Sequence, residues 1–391
     1  MDIDLLDRDL YAGDPHPAFT WLRANEPVYR DPAGTWALTR HADVVWAERQ
    51  PSLFSNAAGS RPNSDPQPSM IDSDDPSHGL QRRLVAKGFT PKQMAAYETH
   101  VWDVARRLVD AIAPLGCADI VAEIAKPLPM TLIGEMLGAP GDDYEMLQRW
   151  SDQMINGADG PANVTDEVVT AAFEYYEYAA RVIADRTARP RDDLVSVLVH
   201  GEVDGERLDR ERVIGNALLL LVGGNETTRN VIAGGVDALL RNPEPLAALQ
   251  AAPGPLIAGA VEECLRWVTP IVNMSRTTTA DVDVHGRTIP AGSQVLMCYI
   301  SANRDDTVFG NPFRFDIARH PNPHIAFGFG PHFCLGSSLA RLEIRVMLTE
   351  LLTRLPDVRL ADPAAAPVYS HSSFVRGIQA LPVEFTPVPL G

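Results

Sequence analysis

Three clusters of residues have the types and spacing to do chemistry. The first is Cys334 in "FGFGPHFCLG", residues 327–336, a lone thiol among three glycines and three phenylalanines. A buried cysteine can be a small apolar filler. A thiolate at the start of a helix, stabilised by the backbone N–H groups there, can instead be a nucleophile or a metal ligand. The second is Glu226 beside Thr227 in the apolar run "ALLLLVGGNETT". A carboxylate there costs several kcal/mol unless paired or protonated, roughly 2–7 on transfer scales for polar groups and more for charges. Gly223 and Gly224 add about 1 kcal/mol each relative to Ala in a helix. Two such penalties together predict a locally widened helix turn with a free carbonyl, where an acid and a hydroxyl hand protons to something bound alongside. The alternative is a Gly-Gly helix crossing with Glu226 reaching solvent. The third is "VEECLRWVTP", where Glu263 and Arg266 share a helix face at i,i+3. Arg314 in "NPFRFD" is the candidate third member of a buried ion-pair group, which needs such extra partners to hold. Exposed pairs at this spacing are the commonplace alternative.

A single Cys cannot close a four-ligand zinc site, and no second Cys or paired His lies at metal spacing. One thiolate does suit the axial position of a haem iron, where it favours O–O cleavage. Phe327 would shield the sulfur. The two haem propionates would need donors. His332, Arg276, and the pair His78 and Arg82, four apart on one helix face, are candidates, each alone compatible with an ordinary surface residue. A cysteine hydrolase with His332 as base competes, but the Gly-Phe loop does not explain an oxyanion site. A haem-thiolate gas sensor would not need the acid–Thr pair.

The elements that must position these groups follow from the pattern. Residues 14–26 read as a short helix and 27–39 as a hairpin. Residues 56–77, rich in Ser, Pro, Asp and Asn, form a long loop. From His78 to about Gly201 the pattern is helical with Pro and Gly breaks. Residues 211–240 read as one central helix ended before Asn242-Pro243, and 277–300 as short strands. Leu335, Leu339, Leu342 and Val346 mark a helix face after the cysteine. The fold class is mainly α with minor β (α+β), a single domain over 1–391. The 391 residues carry a net charge of −17, which argues against nucleic-acid binding. The four scattered cysteines fit a reducing cytoplasm, and the acidic amino terminus "MDIDLLDRDLYAGDP" has no signal-peptide or membrane-anchor pattern.

Together these motifs resemble the cytochrome P450 monooxygenases. "FGFGPHFCLG" is similar to that family's cysteine loop, "GGNETT" to its oxygen-activating helix motif, "ECLR" and "NPFRFD" to its Glu-x-x-Arg and Arg partner, and "HGLQR" to its propionate helix. The resemblance covers residues 10–390. It implies haem b between the long helix and the cysteine loop, with Cys334 on the iron. Gly223 and Gly224 would lie against the haem, and His78, Arg82, Arg276, His332 and Phe327 would hold or shield it. Glu226 and Thr227 become the oxygen-activation pair, Glu226 feeding protons, and Glu263, Arg266 and Arg314 a structural triad. It also implies O2 as co-substrate, with electrons from an NAD(P)H-dependent ferredoxin reductase and a ferredoxin. Arg106, Arg341 and Arg345 are candidates for docking that ferredoxin.

Within the family, "FSNAAGSRP", "SMIDSDDPSH", "LLLLVGGNETTRN" and "DDLVSVLVHGEVDGERL" look most like actinobacterial enzymes that oxidise the side-chain end of cholesterol and cholest-4-en-3-one. The expected pocket residues are Met70, Ile71, Ile271, Asn273, Met274 and Phe374. Their mainly apolar character suits a sterol. It also suits the alternative, a tailoring hydroxylase or epoxidase of a macrolide, polyketide, terpene or cyclic peptide.

Overall fold

A computed structural model describes residues 2–389. Its backbone is a helical array with three small sheets. The central helix runs Arg210–Arg241, 32 residues, from an Asp209 cap whose side chain accepts from the Arg212 N–H. It carries a long buried face and packs on the helices Pro127–Leu137, Pro253–Val268 and Ser337–Arg354. The last of these follows the cysteine loop directly and lies along Pro91–Ile112. Burial of these aliphatic faces, at about 25 cal/mol per Å2 of apolar surface, makes one continuous core from Met70 to Phe385. The cysteine loop therefore leads directly into a helix that is anchored along its buried face in this core.

The central helix is α-helical throughout, so the widening expected at Gly223–Thr227 does not occur. The Thr227 hydroxyl donates to the Gly223 carbonyl at 2.8 Å, and that carbonyl is not free. The wide turn lies instead at Val121–Ala125, where the Lys126 N–H reaches back to the Val121 carbonyl at 3.0 Å. It packs against the central helix from the side.

The largest sheet forms a second, smaller layer, while the three strands Cys117–Asp119, Pro382–Glu384 and Arg359–Leu360 pack into the helical core. The five-stranded sheet runs in the order Val28–Arg30, Trp36–Leu38, Gln294–Met297, Met274–Thr278, Phe54–Ser55. The expected hairpin is its first pair, Val28 opposite Leu38. Met274 pairs with Met297 and Arg276 with Val295, which fixes Arg276 on a rigid strand. The long loop after Ser55 has two internal anchors. Asp72 accepts from the Ser60 and Gln67 N–H groups, each at 2.8 Å, and Asp74 from the Asn56 N–H at 2.9 Å. Among the described residues no helix is long and apolar enough to cross a membrane.

Candidate active site

Cys334 stands three residues before the helix Ser337–Arg354. Its N–H donates to the Phe327 carbonyl at 2.9 Å, closing the loop on itself. Gly328 and Gly330 both have φ +69, a region L side chains avoid. A Cβ on Gly330 would also run into the Glu48 carbonyl oxygen. These two glycines thus let the loop turn tightly against the end of the helix His41–Glu48. The loop residues Ala326 to Gly330 and Cys334 to Gly336 remain partly open. Phe327 sits edge-on to Phe333, 6.1 Å between ring centres, beneath the Arg341 guanidinium at 4.6 Å. Desolvation by the surrounding atoms pushes the Cys334 thiol up, while the Gly336 N–H, Arg82 and Arg341 favour the thiolate.

Four basic side chains gather beside this loop. Arg82 donates to the Phe333 carbonyl at 2.6 Å. His78, 4% exposed, stacks on His332 with ring centres 4.0 Å apart. Its Nε2 is buried without a hydrogen-bond partner, although buried polar atoms are normally satisfied. Burial, with Arg276, His78 and Arg82 all pressing on it, drives His332 down to about 2. Burial also lowers His78, with Arg82 adding to it against the pull of Asp75. Arg276 is held by the Ser275 carbonyl and Glu48, each at 2.8 Å. Two guanidiniums, two crowded imidazoles and an orphaned ring nitrogen beside a thiol are what a flat dianionic iron cofactor would satisfy.

On the central helix, a Cβ on Gly223 would meet open space, and Thr227 is half-buried. Gly224, expected on the same face, turns instead to Ile133, which a Cβ there would meet at 3.1 Å. Glu226 points away from this side. It is 1% exposed and accepts from Ser151 Oγ at 3.3 Å and from Asn225 Nδ2 at 3.3 Å. It also pairs with Arg229, which in turn binds Asp152 at 2.6 Å. Lys126 completes the chain at 3.3 Å from Asp152. Burial pushes Glu226 up to about 8, with Arg229 opposing and Asp152 adding to it. Asp152 is also desolvated, but Arg229, Glu226 and Lys126 outweigh that and hold it below the usual carboxylate range. The arrangement places a buried acid of raised pKa next to Thr227 in the chain, tied by an ion pair to Arg229 and through it to Asp152.

Over 99% of its length the chain is 45% identical to the steroid C26-monooxygenase of Mycobacterium tuberculosis, covering 98% of that protein. It belongs to the cytochrome P450 family. The family model matches residues 254–357. A methyl-branched lipid omega-hydroxylase of M. tuberculosis is 40% identical, with 99% of this chain and 94% of that protein covered. Among solved structures, a Mycobacterium marinum cytochrome P450 in complex with pseudoionone superposes with a TM-score of 0.90 at 36% identity, covering 98% of both chains. The chain is a P450 monooxygenase, and the family's cofactor is a haem iron.

The P450 ion-pair group needs one correction. Arg266 clasps Glu263 through two bonds, 2.7 and 2.8 Å, with both side chains fully buried. The third guanidinium is that of Arg319, 3.2 Å from Glu263, not that of Arg314. Arg314 is exposed and contributes only its carbonyl, which accepts from Arg266 at 3.3 Å and Arg319 at 3.0 Å. The backbone reverses at Asn311, with φ +50 and an Arg314 N–H to Asn311 carbonyl bond of 3.0 Å, which turns the Arg314 side chain outward. The arginines expected to face a ferredoxin already have acidic partners: Arg106 with Asp103, Arg341 with Glu262, Arg345 with Glu98.

The expected pocket residues separate into two groups. Ile271, Met274 and Phe374 come together with Ile155, Ala158 and Val375 in one apolar cluster. Met70 joins the main core, and its N–H donates to Asn216 Oδ1 at 3.0 Å. The carbonyl of half-buried Ile71 accepts from Asn56 Nδ2. Asn273 is buried and donates to the Ser373 carbonyl at 2.8 Å, so its amide braces a loop. Over the cluster, Asp159 accepts from Ser372 Oγ, Ser373 Oγ and the Ser373 N–H at 2.8–3.0 Å, and Arg8 lies 3.5 Å away. Arg8 also donates to the His371 carbonyl at 2.6 Å. Sequence reasoning missed Asp159, Arg319, Glu48 and Glu343. Glu343 is a fully buried acid whose Oε2 has no hydrogen-bond partner and which burial pushes far up.

Proposed function

We propose that the chain, acting as one cytoplasmic domain, binds haem b with Cys334 on the iron and hydroxylates the side-chain end of a steroid. Electrons would come from NAD(P)H through a ferredoxin reductase and a ferredoxin. The observation that carries this reading is the gathering of His78, Arg82, Arg276 and His332 beside a partly open thiol. Arg276 and Arg82 would hold the propionates by charge-assisted bonds, the stronger kind, and the orphaned Nε2 of His78 would gain its missing partner. When bound, the haem supplies reductive activation of O2, one atom going to substrate and the other to water. The chain's own task is to control protons. Thr227, tied to the Gly223 carbonyl, offers a hydroxyl oriented by the helix, and the neighbouring acid Glu226, held in place by Ser151 and Arg229, would be the group that resupplies it with protons. The apolar cluster of Ile155, Ala158, Ile271, Met274, Phe374 and Val375 suits a ring system or a branched alkyl chain, because it excludes water and offers few polar contacts.

The steroid reading draws on the relative at 45% identity, and a methyl-branched lipid is the second reading, from the relative at 40%. The test has two parts. Reduced protein with CO is expected to show the red-shifted Soret band of thiolate-bound haem, and Cys334→Ser to lose it. A wild-type protein without that band overturns the whole reading. Titration of ferric protein with cholest-4-en-3-one is then expected to move the iron from low to high spin. No shift with any steroid, together with a shift by a methyl-branched fatty acid, would transfer the assignment to the second reading.

A further inference from the structure

Glu48 ends the helix His41–Glu48, outside every motif above, and its side chain is 1% exposed. Three donors from three different elements converge on its carboxylate. They are Arg276 Nη2 from the sheet at 2.8 Å, Tyr299 Oη from the helical turn Tyr299–Ala302 at 2.5 Å, and the backbone N–H of Phe329 in the cysteine loop. The Gly328 backbone lies against the same carboxylate, and Gly330 against the Glu48 carbonyl. Burial raises the Glu48 carboxyl, but Arg276, Tyr299 and the Phe329 N–H all favour its ionised form. An anion with three donors aimed at it is better satisfied than a neutral acid, which would have to donate to groups that are themselves donors.

We propose that Glu48 is a positioning residue for the cofactor: its carboxylate ties Arg276 to the cysteine loop and sets the net charge beside the propionates, thereby lowering the reduction potential of the bound iron. The inference rests on the haem-thiolate reading. One carboxylate fixes both the cation that would hold a propionate and the loop that carries the thiolate, so the two cannot shift independently. Its negative charge, close to the cofactor in a desolvated setting where charges interact strongly, opposes gain of an electron by the iron.

The test is the midpoint potential of the ferric/ferrous couple in two holo-variants. Glu48→Gln keeps the shape and removes the charge, so the midpoint is expected to move to a more positive value. Tyr299→Phe removes a donor and leaves the carboxylate less compensated, so the midpoint is expected to move to a more negative value. A residue with only a structural role would not shift the two in opposite directions. Haem transfer to excess apomyoglobin is expected to be faster from Glu48→Gln than from wild type, because Arg276 loses its anchor. If Glu48→Gln does not take up haem, Tyr299→Phe decides alone, a negative shift supporting the proposal and no shift overturning it. Loaded variants with the wild-type midpoint also overturn it. A wild-type protein lacking the thiolate-haem band would overturn the haem reading itself, a result distinguishable from either.

Discussion

Replacing Arg319 and Arg314 separately by Ala tests which arginine completes the Glu263 group. The Arg319 side chain is 8% exposed and bonds Glu263, the Gly310 carbonyl at 2.8 Å and the Asn311 and Arg314 carbonyls at 3.3 and 3.0 Å. Its removal does not strand the carboxylate, because Glu263 keeps both Arg266 bonds, the Asp316 N–H at 2.8 Å and Asn322 at 3.2 Å. The full cost of breaking a buried pair, about 3–5 kcal/mol, is therefore an upper limit. A charged hydrogen bond is worth about 1.5–3 kcal/mol net, and the three carbonyls lie where water can partly replace the guanidinium. The expected loss for Arg319→Ala is about 3 kcal/mol. Arg314→Ala keeps the carbonyl that does the bonding and removes an exposed side chain, so the expected change is within about 0.5 kcal/mol. Urea titration of both holo-variants, followed by circular dichroism at 222 nm and by the Soret band, reads the difference as displaced midpoints. Equal displacement by the two variants would refute the assignment of Arg319, and so would a larger displacement by Arg314→Ala.

Glu226→Gln is expected to slow product formation and to flatten its pH dependence. The sign follows from the raised carboxyl: below about 8 it carries a proton to give, above that it does not, so wild-type turnover should fall as pH rises through that value, and an unchanged profile in the variant would remove Glu226 from proton delivery. Thr227→Ala is expected to consume NADH at near the wild-type rate while releasing hydrogen peroxide in place of product; coupling equal to wild type would count against the hydroxyl. Gly330→Ala is expected to cost more than about 2 kcal/mol, combining left-handed backbone strain with the clash against Glu48, and to be read as poor haem retention. Gly223→Ala meets nothing within 4 Å and should raise thermal stability by up to about 1 kcal/mol while weakening the spin-state response to bulky ligands.

What was legible in the sequence was local. The cysteine loop, the Glu226–Thr227 step and the Glu263–Arg266 pair each sit within one turn or one helix, so residue type and spacing identify them. The central helix, expected over 211–240, spans Arg210–Arg241 because its Asp209 cap and the following Asn242-Pro243 are written beside it. What was not legible depends on distant backbone. Arg314 and Arg319 lie five residues apart in one irregular segment, and only the reversal at Asn311 decides which reaches Glu263. Glu48 and Arg276 are separated by 228 residues, and no periodicity links them. The direction of Glu226 was open for the same reason. Its partners Ser151 and Asp152 come from the helix Tyr144–Asn156, whose packing on the central helix no motif announces. The Gly-Gly pair suggested a bulge because two helix breakers together usually mark one. Here one glycine is spent on close packing with Ile133 and the other on leaving space.

The contact between Arg8 and Asp159 has a practical consequence. The Asp159 and Ser372–Ser373 segments beside the apolar cluster are fastened partly by Arg8, which lies in a helix remote from both in sequence. One guanidinium thus holds together two segments that are far apart in the chain, at Asp159 and at His371. Arg8→Ala should therefore loosen both segments at once, and a change in bulky-ligand binding by that variant would be felt at the apolar cluster without any lining residue having been altered.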